Sequence, residues 1–259
     1  MDITSLQNPR IKHIVKLRDD KKTRKQDGLM LVEGYDEIQL ALAAGHLPQT
    51  LLSAPEIIFR QISGSFPETI TVNRAVFEKI SYRDNPDGWM GIFPVPHISL
   101  NELKLSKSPL IIVAESIEKP GNLGAILRTA DAAGVDALLL CDPRVDLWNP
   151  NVVRASRGAV FSVPVVECDN DSAWDWLKKH KIHVLAATPS ADELYSDVNM
   201  RESVAIAVGT EDEGLTDFWM SNADVKVKIP MMGRVNSLNV SVSIALIVYE
   251  AVRQRNNFH

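Results

Sequence analysis

Three stretches in the second half of the chain combine glycines with amide, hydroxyl and charged side chains. The first, residues 115–134, reads ESIEKPGNLGAILRTADAAG and contains Asn122 and, six positions later, Arg128. Glycines at a helix start allow close backbone approach, and a helix N-terminus attracts anions. This stretch therefore predicts an anion-binding helix entrance. Taken by itself, the stretch is better explained by Asn122 as a helix N-cap and Arg128 as a surface cation.

The other two stretches offer acidic and hydroxyl groups. Residues 207–215 read AVGTEDEGL, in which Glu211 or Asp212 could accept hydrogen bonds from ribose hydroxyls or a ligand ammonium group. The acids could equally complement the dipole of a following helix. Residues 229–255 place Ser237, Asn239 and Ser241 at the start of an otherwise apolar helix. Such polar groups stabilise a binding loop or simply cap the helix.

The sequence contains neither the pattern of a metal site nor that of a dinucleotide-binding site. Cys141 and Cys168 are the only cysteines, and no CxxC or Cys/His cluster occurs. We therefore expect two ordinary thiols in a reducing compartment and no metal site. The glycines of the first stretch are spaced GxxG rather than GxGxxG, which argues against a nicotinamide-dependent dehydrogenase.

The second half of the chain alternates predicted strands and helices. Continuous aliphatic runs are typical of buried parallel strands, and helices between them cover both faces of the sheet. Ligands of such sheets bind beyond the carboxyl ends of the strands, where all three stretches lie. The predicted strands are 110–114, 136–141, 161–166, 182–187, 204–208 and 225–229, and the predicted helices are 121–133, 172–180 and 237–255.

The first half predicts a smaller α/β domain. Helices are expected at 8–24, 36–44 and 73–80, and strands at 29–32, 50–53, 69–72 and 88–93. The proline-containing stretch 94–109 predicts a linker. We therefore predict one domain over residues 1–98, a linker at about 99–107 and a second domain over 108–259.

Composition bounds the class of protein. The chain has 259 residues, 45% hydrophobic and 24% charged, which excludes disordered and collagen-like proteins. No signal-peptide or membrane-spanning pattern is present, so we expect a soluble cytoplasmic protein. The net charge is −5, yet the first 30 residues contain eight Lys or Arg against four Asp or Glu. That local excess indicates either an RNA-contacting helix or a solvated helix face.

Taken together, the three stretches resemble the motifs of a known family. In order they read N-x-G-x-x-x-R-T, G-T-E-x-E-G-L and I-P-M-x-G-x-x-x-S-L-N-V-S, similar to the SpoU/TrmH family of RNA ribose 2′-O-methyltransferases. Residues 146–166, with R-A-S-R-G-A, look like the intervening segment of that family. The N-terminal SLQNPRIKHIVKL resembles, more loosely, the substrate-binding domain fused to many ribosomal RNA members.

The resemblance implies a fold, a cofactor and an assembly. It implies a SPOUT-type parallel sheet with a deep trefoil knot, a small L30e-like α/β domain before it, and a homodimer. The implied cofactor is S-adenosyl-L-methionine, with no metal. Its implied binding residues are Thr188, Pro189, Val208, Gly209, Thr210, Glu211, Ile229, Met231, Ser237, Leu238 and Asn239.

The resemblance also implies roles in catalysis. Arg128 matches the arginine proposed to activate the ribose hydroxyl, either as a general base or, as we favour, by stabilising the developing alkoxide. Asn122 would position the RNA or Arg128, while Glu211, Ser237 and Asn239 would order the site. The residues predicted to contact RNA are Arg10, Lys12, Lys21, Lys22, Arg24, Lys25 and Arg154.

The N-terminal domain and its basic helix favour ribosomal RNA as the substrate. Two alternatives stay open: a transfer RNA ribose 2′-O-methyltransferase, and a non-catalytic RNA-binding or ribosome-assembly protein on the same scaffold. One sequence contains no information about the target nucleotide.

Overall fold

A computed structural model describes residues 2–256, which divide into two compact units. Unit 1 contains the described residues up to Pro96 together with Asp146–Ser162, and unit 2 contains His97–Val145 and the described residues from Val163 onward. The predicted boundaries put residues 146–162 in the second domain. The structure packs them into unit 1, because the buried Arg24 side chain binds Asp146 and the helix after Asp146 lies against a unit 1 strand.

Unit 1 is a mixed five-stranded sheet with helices. Its strands are β1 (Asp2–Ile3), β2 (Leu29–Glu33), β3 (Thr50–Ser53), β4 (Thr69–Val72) and β5 (Trp89–Pro94), in the order β1-β4-β3-β5-β2. Its helices are α1 (Pro9–Asp19), α2 (Lys21–Asp27), α3 (Tyr35–Ala43), α4 (Arg74–Ile80) and α6 (Pro150–Ala155). One apolar cluster, which includes Ile14, Leu52 and Phe77, forms its core.

The single helix predicted over residues 8–24 is two helices. The Asp20 carboxylate accepts hydrogen bonds from the backbone N–H groups of Lys22 (3.1 Å) and Thr23 (3.0 Å). Asp20 itself has an extended backbone. An N-cap of this kind starts a new helix and ends the preceding one, so α1 and α2 meet at Asp20.

Unit 2 is a seven-stranded sheet in which every pair is parallel. Its strands are β6 (Leu110–Glu115), β7 (Ala137–Cys141), β8 (Val165–Cys168), β9 (His183–Ala187), β10 (Glu193–Leu194), β11 (Val204–Val208) and β12 (Val225–Lys228), in the order β10-β12-β9-β11-β6-β7-β8. Its helices are α5 (Pro120–Ala133), α7 (Asn170–Lys179), α8 (Asp217–Asn222) and α9 (Val240–Arg255). The predicted α/β class and parallel sheet are confirmed.

Local polar groups shift several predicted boundaries. The final helix begins at Val240, not at residue 237, because Asn239 is its N-cap and accepts from the Ser241 N–H at 3.0 Å. The predicted strand 161–166 is instead a 3₁₀ turn, Ala159–Phe161, followed by β8.

The register of β7 and β8 pairs the two cysteines, which are 27 residues apart in sequence. Their sulfurs lie 3.9 Å apart as free thiols, and Cys168 is only partly buried. Within residues 2–256, no helix is long and apolar enough to cross a membrane. The same part of the chain contains no group of three or more His, Cys, Asp or Glu side chains arranged to hold a metal ion.

Candidate functional site

A cavity of about 460 Å³ lies at the carboxyl ends of β9, β11 and β12 in unit 2. Parallel strands end at the same edge of a sheet, so the loops that follow them share this opening. Of the eleven residues predicted to bind a cofactor, ten line it, and the exception is Asn239. Ala187, Ser190, Leu215, Met220 and Asn236 also line it, although the sequence analysis did not include them among the cofactor-binding residues.

The loop from Gly209 to Thr216 folds back on itself beside the cavity. Thr210 and Gly214 exchange two backbone hydrogen bonds of 3.0 and 3.1 Å. Gly214 has a φ of +74°, a conformation that glycine adopts without strain. A Cβ atom on residue 209 would collide with the backbone of Gly214. The closed shape of this loop therefore requires glycine at position 209.

Glu115, at the end of β6, anchors the far end of the same loop. Its side chain is 1% exposed and accepts hydrogen bonds from the Thr216 N–H (2.8 Å) and hydroxyl (2.7 Å). Asn170 donates a third bond of 2.8 Å, and its own carbonyl oxygen accepts from the Trp219 indole at 2.7 Å. A buried carboxylate requires such partners, so Glu115 fixes where the loop ends. Its position as an acid at the end of an aliphatic strand is the sequence signal that could have identified Glu115.

Glu211 is the centre of a hydrogen-bonded cluster between the three motif loops. Its carboxylate accepts from the Asn122 amide at 3.0 Å, from the Asn239 amide and from the Lys119 ammonium group. The Asn239 amide also donates to the Asn122 carbonyl oxygen at 3.1 Å. Hydrogen bonds from Lys119 and Asn122 hold the pKa of the Glu211 carboxyl below its ordinary value. The cluster joins three segments that are far apart in the sequence.

Lys119 is a member of this cluster that the sequence analysis did not identify. It is the N-cap residue of α5, so Asn122 lies inside the helix and is not its cap. Its ion pair with Glu211 raises the pKa of the Lys119 ammonium group. Lys119 and Asn122 also line a second cavity of about 130 Å³, which shares Thr210 and Glu211 with the first. Its place directly before Pro-Gly-Asn was the signal that could have identified it.

The predicted catalytic residues do not all lie together in the structure. Arg128 lies on α5, is exposed and lines neither of these cavities. Its side chain has no hydrogen bond or ion pair with any residue in the described part of the chain. Ser237 lines the larger cavity, whereas Asn122, Glu211 and Asn239 form the cluster.

The residues predicted to contact RNA all lie in unit 1, and one of them is buried. The other six are exposed: Arg10, Lys12, Lys21, Lys22, Lys25 and Arg154. Arg10 is paired with Glu68 at 2.5 Å. The Arg24 side chain is 3% exposed, and its guanidinium binds the Asp146 carboxylate at 2.6 Å. The prediction that Arg24 contacts RNA is wrong for this structure, because its charge is already paired inside unit 1.

Family models match both parts of the chain. The SpoU rRNA Methylase family matches residues 109–249, which is more than half of the chain. The MRM3-like substrate binding domain matches residues 8–91.

Individual relatives match over nearly the whole length. The 23S rRNA (guanosine(2553)-2′-O)-methyltransferase RlmP of Bacillus subtilis (strain 168) is 28% identical over 95% of this chain and 97% of its own. A crystal structure of an RNA 2′-O ribose methyltransferase is 44% identical, with a TM-score of 0.87 and coverage of 98% and 99%. An AdoMet-bound rRNA methyltransferase from Sinorhizobium meliloti is 28% identical, with a TM-score of 0.89 and 99% of each chain covered. The sequence motifs, the parallel sheet and these matches together establish that the chain belongs to the SpoU family of RNA methylases.

Proposed function

We propose that this chain methylates a ribose 2′-hydroxyl in RNA, with S-adenosylmethionine as the methyl donor and ribosomal RNA as the substrate. The observation that carries this proposal is the shared placement of the three motif loops. The second and third loops line the larger cavity, all three loops contribute residues to the smaller one, and hydrogen bonds among Asn122, Glu211 and Asn239 join the three loops.

The larger cavity fits the donor in size and in chemistry. Its volume of about 460 Å³ is within the range of small-molecule sites. Apolar side chains of Leu215, Ile229 and Leu238 line it and offer contacts for an adenine ring, and the loop from Gly209 borders it. When bound, the donor supplies an electrophilic methyl group on a positively charged sulfur. Glu211, whose carboxyl pKa is lowered by its hydrogen bonds from Lys119 and Asn122, lines this cavity.

The Glu211 cluster is suited to positioning rather than to proton transfer. The Glu211 carboxyl has a lowered pKa, and its oxygens already accept hydrogen bonds from three donors. It is therefore a weak base. We therefore assign it the role of fixing the relative positions of the three loops, with Asn122 facing the smaller cavity. Arg128 stabilises the alkoxide that develops on the ribose, since guanidinium groups keep their protons in proteins.

A homodimer accounts for the position of Arg128. Val242, Leu246 and Tyr249 form an exposed apolar stripe along α9, while the opposite face of the helix is buried. Helix α9 packs against α5, which contains Arg128. We propose that a second copy covers this stripe and completes the reaction site around Arg128.

The family knot is a further part of the proposal. The last turn of α9 is tied to an earlier stretch of unit 2: Gln254 donates to the Val198 carbonyl at 3.0 Å and accepts from the Met200 N–H at 2.8 Å. Arg255 donates to the carbonyl oxygens of Pro109 and Met200. These bonds support a C-terminal segment threaded as in a deep trefoil knot.

Ribosomal RNA is favoured over transfer RNA by the N-terminal part of the chain. Unit 1 contains the region that matches a substrate-binding domain, and the RlmP relative, whose name specifies 23S rRNA, spans both regions. The cytoplasm is the compartment we propose, in keeping with such a substrate.

The test combines cofactor binding with mapping of methyl groups on RNA. Calorimetry should detect S-adenosylmethionine binding, and mapping of 2′-O-methyl sites in cellular RNA with and without the protein should reveal a missing site in ribosomal RNA. Arg128→Ala should reduce methyl transfer about 100-fold or more with unchanged cofactor affinity. Lys179→Ala, which removes an exposed cation of unit 2 outside both cavities, is the control. An Arg128→Ala protein with full activity would disprove the role of Arg128, and absent cofactor binding would disprove the function.

A further inference from the structure

A short turn of unit 1, Ser81–Tyr82–Arg83, is held in place by buried charges. Glu33 is 7% exposed, and its carboxylate accepts hydrogen bonds from the Tyr82 N–H at 2.7 Å and from the Ser81 hydroxyl. Arg83 forms an ion pair of 2.6 Å with the buried Glu37. Burying two carboxylates is costly unless each is paired, so these contacts fix the turn in one conformation.

Arg18 holds the same turn from another side. Its guanidinium donates to the carbonyl oxygens of Ser81 at 2.9 Å and Lys79 at 2.8 Å. The turn is therefore rigid on three sides. The side chain it displays is nevertheless a large aromatic ring, since Tyr82 is 44% exposed.

A cation from a distant part of the sequence lies over this exposed ring. The Arg154 guanidinium carbon is 5.6 Å from the centre of the Tyr82 ring. Arg154 is exposed, and its guanidinium donates one hydrogen bond, to the Asn151 side chain at 3.0 Å. No carboxylate of residues 2–256 pairs with it. Its charge is therefore available to a ligand.

Three residues later, the chain presents a second cation in an uncommon backbone conformation. Arg157 is exposed and has a φ of +52°, a backbone conformation that residues other than glycine adopt at some cost in energy. The next residue, Gly158, also has a positive φ, and a Cβ atom there would collide with Leu40. Strained backbone of this kind is concentrated at functional sites.

A second tyrosine of unit 1 forms a closer pair with an arginine. The Arg60 guanidinium carbon lies 3.8 Å from the centre of the Tyr35 ring, and Arg60 also binds Asp36 at 2.8 Å. That arginine is fully engaged, and it covers its ring closely. The pair formed by Arg154 and Tyr82 is looser by almost 2 Å and has no acidic partner.

We propose that Tyr82, Arg154 and Arg157 form an RNA-binding surface of unit 1, in which an unpaired base stacks on Tyr82 and the two arginines bind adjacent phosphates. Aromatic rings next to guanidinium groups are how proteins hold splayed bases of single-stranded RNA. The inference rests on the proposed function, since it assumes that the partner is RNA. It adds the class of RNA structure that is recognised, a single-stranded loop or bulge.

The test measures binding of two short RNA oligomers to the full-length protein by fluorescence anisotropy. One is a single-stranded heptamer, and the other is the same heptamer with one abasic position. Tyr82→Ala should weaken binding of the complete heptamer about tenfold and reduce the preference for it over the abasic oligomer, whereas Tyr82→Phe should bind as the wild type does. Arg154→Gln should weaken both oligomers and lower the slope of log affinity against log salt by about one.

Tyr35→Ala is the matched control, because it removes a tyrosine that faces an arginine in the same unit. It should bind both oligomers as the wild type does. The inference is overturned if Tyr82→Ala binds the complete heptamer within twofold of the wild type, or if it weakens both oligomers equally. Cofactor calorimetry and methyl mapping report on the proposed function separately. A protein that stacks RNA on Tyr82 without transferring methyl groups would refute only the function, and an active methyltransferase indifferent to Tyr82 would refute only the inference.

Discussion

Replacing Arg24 with alanine should destabilise unit 1 by about 3 kcal/mol. The guanidinium donates to the Asp146 carboxylate at 2.6 and 2.9 Å, and to the carbonyl oxygens of Leu17 at 2.5 Å and Arg18 at 2.9 Å. Removing one partner of a buried ion pair costs about 3–5 kcal/mol, because the other charge is left without compensation. Asp146 is 16% exposed and keeps a hydrogen bond from the Trp148 N–H, which places the expected loss at the lower end.

Urea unfolding followed by circular dichroism measures this loss. With a slope of about 2 kcal/mol per molar urea, 3 kcal/mol corresponds to a shift of about 1.5 M in the midpoint. Lys21→Ala and Lys22→Ala remove exposed cations from the same helix, and each should change the free energy of unfolding by less than about 0.5 kcal/mol. The double variant Arg24→Met, Asp146→Leu should recover most of the loss, since an apolar pair of similar size replaces a buried ion pair at little cost.

RNA binding separates the structural role of Arg24 from the role first assigned to it. The two lysine variants should weaken RNA binding and reduce its salt dependence, since their charges are free to contact phosphates. The double variant should bind RNA as the wild type does. The reasoning fails if Arg24→Ala leaves the urea midpoint unchanged, or if the stable double variant loses RNA affinity.

Three further outcomes follow from unit 2. Gly209→Ala should abolish S-adenosylmethionine binding in calorimetry because its Cβ atom would meet the backbone of Gly214, whereas Gly233→Ala, in open space, should bind normally; equal affinities would disprove the requirement. Leu246→Glu should convert a dimer to a monomer in analytical ultracentrifugation, and an unchanged mass would remove the α9 stripe from the interface. The Glu211 carboxyl has a lowered pKa when folded, so its stabilising contribution is complete above its ordinary pKa and is lost as the pH falls through the lowered value. Acid unfolding should therefore be less steep in Glu211→Gln, and superimposable curves would contradict this.

Local pattern was sufficient to predict most of the sheet of unit 2. Strand β11 matches its predicted bounds, and β6 and β9 differ from theirs by one residue. Strands β6 and β11 are almost continuous buried aliphatic runs, and β9 contains one from Val184 to Ala186, so their hydrophobic signal depends only on neighbouring residues. Two-residue strands such as β1 contain too few residues for any periodicity, so no sequence pattern predicts them. The break at Asp20 was missed because a capping aspartate inside a long basic stretch looks like one more charged helix residue.

The residues of the larger cavity were predicted from family motifs, but the contacts among them were not. Lys119 and Glu115 act through partners far along the chain: Glu211 is 92 residues from Lys119, and Thr216 is 101 residues from Glu115. Spacing within a motif contains no information about a partner in another motif. Only the folded sheet, which brings the ends of β6 and β11 together, defines these pairs.

Residues 146–162 show how such a long-range pair decides the extent of a folding unit. Their sequence resembles a segment of the catalytic domain, and the boundaries predicted from it place Asp146 and Arg154 in residues 108–259. In the structure, Asp146 neutralises the buried Arg24, and Arg154 lies over Tyr82. A fragment cut at residue 98 would keep Arg24 but lose its counter-charge, and it would display Tyr82 without Arg154. Without residues 146–162, the N-terminal region should therefore be less stable, and it would lack the proposed surface formed by Tyr82 and Arg154.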